Sequence, residues 1–320
     1  MSLEHSGLVI QSTGSWYTVL DDAGSKINCK FKGKFKISGI KATNPIAVGD
    51  RVLFVDTEDA NVGLITKILP RSNYIVRKST KLSKVEQIIA SNIDICILMV
   101  TINRPRTSSG FIDRYLTCNE AYHIPSALVF NKIDLYDDDD MQRLEELQNI
   151  YENAGYKTFR TSVVENIGLD DVISEMKGKT CLVSGHSGVG KSAFIHAIQP
   201  ELDLKIGDIS HVHEKGMHTT TYATMYALSF GGFIIDTPGI KEFGLTGFER
   251  SEVAERFPEM RKFQTGCRFN NCMHINEPGC AVIQAVEDGL ISEERYNNYL
   301  DILQDEYFDV VDYRDKKKLL

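Results

Sequence analysis

Alternating apolar and polar positions dominate roughly the first seventy residues, and continuous apolar runs take over after them. Gly7–Ser12, Ser15–Leu20, Ser25–Phe35, Asp50–Asp56 and Gly63–Leu69 read as five short strands punctuated by Gly, Asp and Asn, the pattern of a small β-barrel. In Lys30-Phe31-Lys32-Gly33-Lys34-Phe35-Lys36 a strand period of two sets four lysines on one face and Phe31 and Phe35 on the other. Such a face is either an edge that lysine protects from aggregation or a row of ammonium groups for phosphate. Pro70–Ser83, with Arg71, Arg77, Lys78 and Lys81, shows little periodicity and reads as a basic linker, either solvated or touching phosphate.

From about residue 88 to 247, strand and helix signals alternate, as in a parallel sheet with crossover helices. Ile93–Thr101, Ser126–Phe130, Thr180–Ser184 and Gly232–Ile235 are the apolar strands. Gly110–Tyr122, Leu144–Tyr151 and Leu169–Met176 are the helices. The acidic run Asp137–Asp140 reads as a solvated loop and helix start. Beyond residue 248 the chain reads as helical, with Ser251–Phe257, Ala281–Asp288 and a third helix N-capped by Ser292. In that third helix Tyr296, Tyr299, Leu300 and Leu303 share a face.

The chemistry sits at the ends of these strands. Gly185-x-x-x-x-Gly190-Lys191-Ser192 follows a strand and opens a helix, the context of a phosphate loop. Its glycines let backbone N–H groups, including those around Ser187, Gly188 and Val189, point at phosphate oxygens. Lys191 would reach the β- and γ-phosphates, and the Ser192 hydroxyl would ligate Mg²⁺. Asn131-Lys132-x-Asp134 selects the base, since a carboxylate at Asp134 accepts from guanine N1–H and the exocyclic amine, a donor pair adenine lacks. Asn131 would tether the loop and the Lys132 stem cover the base. The N–H beside Ser162 would meet guanine O6, although Val163 replaces the small residue usual there.

Asp236-Thr237-Pro238-Gly239 ends a strand, so Asp236 would hold Mg²⁺ through water and the Gly239 N–H would sense the γ-phosphate. One of Thr219, Thr220 and Thr221 supplies a second Mg²⁺ ligand, with Thr220 favoured slightly. Ile240 stands where many GTPases carry a water-orienting glutamine, so intrinsic hydrolysis is expected to be slow. His218 is the local candidate to position the water, against the alternative of a loop histidine with no catalytic part. The order is also informative: the base-reading signature precedes the phosphate loop, the reverse of an ordinary GTPase, as in a circular permutation.

Cys267-x4-Cys272-x-His274-x5-Cys280 places three thiols and an imidazole inside fourteen residues, a donor set for a closed tetrahedral Zn²⁺ site. Seven cysteines in all, two of them in apolar strands, argue against a disulfide scaffold and for a reducing, cytoplasmic home. Met1–Gly7 lacks a signal-peptide pattern, and no apolar run is long enough to span a bilayer. The net charge is −8, but residues 1–81 hold twelve Lys/Arg against seven Asp/Glu, which puts +5 there and −13 on the rest. One basic, contact-making domain on an acidic protein is implied. A metabolic P-loop enzyme fits poorly, because Asp134 reads guanine and no separate substrate domain is evident.

These residues together resemble the circularly permuted, ribosome small-subunit-dependent GTPase A family of bacteria. The likeness rests on the leading barrel, the NKID-before-GHSGVGKS order, the KGMHTTT segment, DTPG and the C-x4-C-x-H-x5-C cluster. It departs at Met217, where a basic residue is common, and at Val163. The resemblance implies an oligonucleotide-binding barrel over residues 1–72, a permuted GTPase domain over 73–247 and a helical zinc-binding domain over 248–320. It further implies GTP hydrolysis to GDP on the small ribosomal subunit late in its maturation, with contact to its rRNA. Mg²⁺ and one structural Zn²⁺ are the expected ions, a monomer is expected, and no membrane is involved. The competing expectation is an rRNA assembly factor that binds GTP but whose hydrolysis is incidental.

Overall fold

The computed structural model describes residues 4–31, 45–57, 62–78, 86–202, 223–236 and 249–304. His218, Thr220 and Gly239 lie outside them, as do Lys32 to Lys36 of the lysine strand. The described chain groups into two compact units, Met1–Ile97 with Leu169–Glu242, and Leu98–Gly168 with Phe243–Leu320.

The first unit opens with β1 (Glu4–Ser12), β2 (Trp16–Asp21), β3 (Lys26–Phe31), β4 (Arg51–Asp56) and β5 (Val62–Ile68). They pair in the order β1-β2-β3-β5-β4, and β4 returns to β1 to close a five-stranded barrel. Alternation fills it: Val9, Tyr17, Val19, Cys29, Phe54 and Ile65 point inward and are buried. At the barrel's base Gly49 has φ +91°, and a Cβ there would lie 2.1 Å from the Ser91 carbonyl oxygen. Gly49→Ala is therefore expected to cost at least about 2 kcal/mol, read as a lower midpoint in chemical denaturation.

The described part of the expected linker, Pro70–Lys78, is instead structured. Residues Tyr74–Lys78 form β6, which pairs antiparallel with β7 (Glu86–Ser91). Arg71 is neither solvated nor displayed for phosphate. Its guanidinium grips Asp50, which is fully buried, with two hydrogen bonds of 2.6 Å each, and donates to the Pro45 carbonyl at 2.7 Å. A buried carboxylate needs an opposite charge, and that need overrides the local look of a linker.

Next along the chain come β8 (Ile95–Val100), α1 (Ser109–Ala121), β9 (Ser126–Asn131), α2 (Asp138–Asn153), β10 (Lys157–Thr161), α3 (Leu169–Met176), β11 (Thr180–Ser184), α4 (Lys191–Ile198), β12 (Thr224–Ala227) and β13 (Phe233–Asp236). In the first unit β11 runs parallel to β13, β12 runs antiparallel to β13, and β1 pairs with the far edge of β12 at Gln11↔Thr224. In the second unit β10 runs parallel to β9. The division between the units falls inside β8, all of whose residues are buried. Asp137 caps α2 by accepting the Asp140 N–H at 2.9 Å, and Asp138, Asp139 and Asp140 occupy its first turn. The acidic run is thus the favourable charge for a helix N-terminus.

The tail of the second unit departs from expectation at Ser251–Phe257. Two short 3₁₀ turns, Arg250–Glu252 and Ala254–Arg256, stand there, and the α-helix is α5 (Pro258–Phe263). The residue before a proline avoids helical angles, and Phe257 is extended at φ −107°, ψ 104°. Helices α6 (Ala281–Glu287) and α7 (Glu293–Leu303) follow. Ser292 occupies the N-cap position of α7, but its side chain makes no capping hydrogen bond.

The apolar face of α7 is not all apolar. Arg295 is buried, and its guanidinium donates to Asp113 of α1 at 2.5 Å and to both oxygens of Glu259. Asn298 donates to the second Asp113 oxygen at 2.6 Å. Burial pushes the Asp113 carboxyl up to about 6, against the pull of Arg295 and Asn298. Around this cluster Cys118, Val253, Phe257, Met260, Val282, Ile291, Tyr299 and Ile302 form one apolar core.

Candidate functional site

Each unit carries its own half of the nucleotide chemistry read from the sequence. In the first, β11 delivers the chain into Gly185–Gly190, where Gly185, Gly188 and Gly190 have φ of 142°, 85° and 99°. These angles, costly for a residue with a Cβ, turn the loop back onto α4, whose N-cap is Gly190. Val189 is fully buried and anchors the loop. The Lys191 ammonium folds over it and donates to the carbonyls of Gly185 and His186, each at 2.6 Å. Partial burial, together with that charge, lowers the His186 pKa and favours its neutral ring. Ser187 and Ser192 are exposed at the loop's rim and at the start of α4.

Strand β13 lies beside β11 with Leu182↔Ile235 in register, so Asp236 emerges one residue further along the same edge. Burial raises its carboxyl to about 6. Among the described residues no cation offsets that burial, and a carboxylate so placed favours a bound cation.

In the second unit, β9 ends at Asn131 and β10 at Thr161, opposite one another in parallel register. Thr161 Oγ1 donates to Asn131 Oδ1 at 2.9 Å, which fixes the side chain expected to tether the loop. Lys132 adopts φ 66° and starts a 3₁₀ turn, Ile133–Leu135, that presents Asp134. Ser162 is buried, and its hydroxyl donates to Asp134 Oδ1 at 2.5 Å while accepting the Glu165 N–H at 3.1 Å. Its neighbour's N–H was the expected group; the side chain adds a second task, that of orienting the carboxylate. Thr161 and Tyr136, which also bonds this loop, were missed as functional side chains. For Thr161 the available signal was its place at the end of a strand parallel to β9.

The four cysteine and histidine ligands read from the sequence come together in space. One ligand atom from each of Cys267, Cys272, His274 and Cys280 lies within 4.8 Å of all the others. Cys267 Sγ is 3.9 Å from Cys280 Sγ and 3.5 Å from His274 Nδ1, which is 3.3 Å from Cys280 Sγ. Zn–S bonds of about 2.3 Å at tetrahedral angles give edges of about 3.8 Å, so the donor set fits Zn²⁺. Burial lowers the His274 pKa, which keeps the ring neutral and able to ligate. The loop is held from three sides. Glu277 accepts the N–H groups of Met273, Ile275 and Asn276 at 2.7, 2.8 and 3.1 Å, and its carboxyl is drawn down to about 2. Tyr296 donates to the His274 carbonyl at 2.7 Å and Tyr299 to that of Met273 at 2.5 Å.

On the barrel, Trp16 is 40 % exposed, and the Lys30 ammonium sits 4.4 Å from its ring centroid. The first of the four predicted lysines thus borders an exposed aromatic face. Among the described residues no helix is long and apolar enough to cross a membrane.

A glycine-rich loop between β11 and α4, with Asn-Lys-x-Asp after a parallel strand earlier in the chain, defines a P-loop GTPase whose halves are exchanged in sequence order. Comparison with known proteins agrees. Residues 68–246 match the RsgA GTPase family and residues 6–65 the RsgA N-terminal domain. The small ribosomal subunit biogenesis GTPase RsgA 2 of Bacteroides thetaiotaomicron is 50 % identical over 299 residues, 93 % of this chain and 96 % of its own. The small ribosomal subunit biogenesis GTPase RsgA of Flavobacterium johnsoniae is 51 % identical over 301 residues, 93 % of each chain. Among solved structures, YjeQ from Thermotoga maritima superposes with a TM-score of 0.77 at 35 % identity, over 94 % of this chain and 98 % of that one. YloQ, a circularly permuted GTPase, gives 0.73 at 29 % identity over 94 % of each. The chain belongs to the RsgA GTPase family.

Proposed function

We propose that this protein hydrolyses GTP on the small ribosomal subunit, as a factor in that subunit's late maturation. The observation that carries the reading is half-identity, across nearly the whole chain, to proteins named small ribosomal subunit biogenesis GTPases. We assign rRNA contact to a barrel domain of residues 1–72, hydrolysis to 73–247 and a zinc-held helical module to 248–320, in a cytoplasmic monomer.

In this reading Asp134, oriented by Ser162, accepts from guanine N1–H and amine, and Asn131 and Lys132 hold the loop and cover the base. The N–H groups of Gly185 to Gly190 cradle the phosphates, and Lys191 leaves its two carbonyls for phosphate oxygens. Ser192, Asp236 and Thr220 are the Mg²⁺ ligands; bound there, Mg²⁺ neutralises charge on the β- and γ-phosphates. Gly239 senses the γ-phosphate, and His218 places the attacking water that Ile240 cannot. Cys267, Cys272, His274 and Cys280 hold one structural Zn²⁺, with no open position for chemistry. Lys30 beside exposed Trp16 supports RNA contact, since an aromatic face stacks on bases and an ammonium pairs with phosphate.

Phosphate release from GTP and from ATP, with and without purified small subunits, tests the reading. Slow GTP turnover strongly accelerated by the subunit, with none from ATP, is expected. Turnover indifferent to the subunit would remove the partner, and ATP turnover would overturn the role of Asp134. The isoleucine at 240 keeps a second reading in view, in which GTP sets shape and hydrolysis is incidental. It requires that a Lys191 variant able to bind but not cleave GTP still leave the subunit normally.

A further inference from the structure

The loop after β8, Thr101 to Thr107, carries none of the nucleotide signatures, yet it closes on itself and is tied to the base-reading turn. Thr107 N–H donates to the Thr101 carbonyl at 2.9 Å, Thr101 N–H to Thr107 Oγ1 at 3.2 Å, and Thr101 Oγ1 to the Pro105 carbonyl at 2.5 Å. Lys132 Nζ reaches across to the Arg104 carbonyl at 2.9 Å. The central tie is Tyr136, two residues beyond Asp134. Its ring folds back along the turn, so that the hydroxyl donates to the Asn131 carbonyl at 2.9 Å and accepts the Ile102 N–H at 2.8 Å.

A phenol is well suited to this place. One oxygen satisfies a backbone acceptor on one loop and a backbone donor on the other, and the aromatic ring gives it a fixed reach. Burial, with Asp140 and Asp134 nearby, pushes the phenol up to about 12, so it keeps its proton and donates. Replacing it by phenylalanine leaves the ring in place and removes both of these hydrogen bonds.

We propose that Tyr136 is a positioning residue for guanine recognition: through its hydroxyl the closed Thr101–Thr107 loop fixes the height of the Asn131–Asp134 turn. Ser162 then sets the direction of the Asp134 carboxylate and Tyr136 its distance from the base. The inference rests on Asp134 reading guanine.

The test compares GDP with inosine diphosphate, which lacks only the exocyclic amine, on full-length protein. The ratio of the two affinities reports how well the second oxygen of Asp134 is placed. In Tyr136→Phe the GDP affinity is expected to fall about tenfold, the scale of one lost hydrogen bond. The inosine diphosphate affinity is expected to change by much less, so the preference for guanine narrows. A general loss of fold would weaken both nucleotides in parallel. A parallel loss, or an unchanged ratio, overturns the proposal.

Asp134→Asn, assayed with xanthosine diphosphate, separates this from failure of the underlying reading. An asparagine amide donates to the xanthine 2-carbonyl and accepts from N1–H, so preference should pass from guanine to xanthine. If it does not, the base-reading assignment falls and Tyr136 with it. If it does while Tyr136→Phe keeps the guanine ratio, only the tyrosine's role is lost.

Discussion

Cys280→Ser is expected to strip the protein of zinc and to melt the Cys267–Cys280 region well below the rest of the chain. Structural Zn²⁺ contributes about 10–16 kcal/mol of apparent binding free energy in small zinc modules, most of it expressed as folding. Here Tyr296, Tyr299 and Glu277 also hold the loop, so the loss falls short of that range but exceeds any other single change considered. The substitution is chosen because Cys280 has two tasks. Its Sγ is a cluster member, and it also caps α6 by accepting the Ile283 N–H at 3.4 Å. Serine is a favoured N-cap, so the helix start survives and the metal term is isolated. Metal analysis of protein never exposed to chelator should show about one zinc per chain in the parent, as one closed four-ligand site requires, and almost none in the variant. Equal zinc in both would remove Cys280 from the site.

Lys191→Ala is expected to slow GTP cleavage by about two to three orders of magnitude, the usual cost of removing one donor aimed at developing charge. Its ammonium already stands over the loop, between two carbonyls at 2.6 Å, so little rearrangement separates that position from a phosphate oxygen. GDP affinity should suffer less than cleavage, because the loop N–H groups remain. Single-turnover phosphate release with small subunits present gives the first quantity, and nucleotide titration the second. A fall below tenfold in cleavage would place the charge elsewhere.

Local chemistry explains which parts of this protein were legible in its sequence. The bounds of β11 are legible because an apolar run meets the glycine-rich motif there, and those of α3 because Gly168 and Gly178 flank it. The cysteine and histidine spacing gave the cluster for the same reason. What was missed depends on partners distant in the chain. Arg71 looks like linker charge until Asp50 is found under it, and Arg295 looks like a surface position until Asp113 and Glu259 are. No window of sequence contains both ends of such a pair. Tyr136 was overlooked because its hydroxyl serves a loop without any motif. The break before Pro258 is legible in the proline itself, whose effect on Phe257 outweighs the helical spacing before it.

The pairing of Gln11 with Thr224 bears on the order in which this molecule is made. Strand β1 is synthesised before its partners β2 and β4, and it can pair with each as soon as that strand exists. Beyond the stretch paired with β4, its end at Gln11 meets the outer edge of β12, a strand whose neighbour carries Asp236 and which is translated far later. The sheet of the phosphate half is thus extended by a strand that is made long before it. A truncated protein beginning after the barrel would be born with that edge bare, and self-association through β12 is the hazard it would meet first.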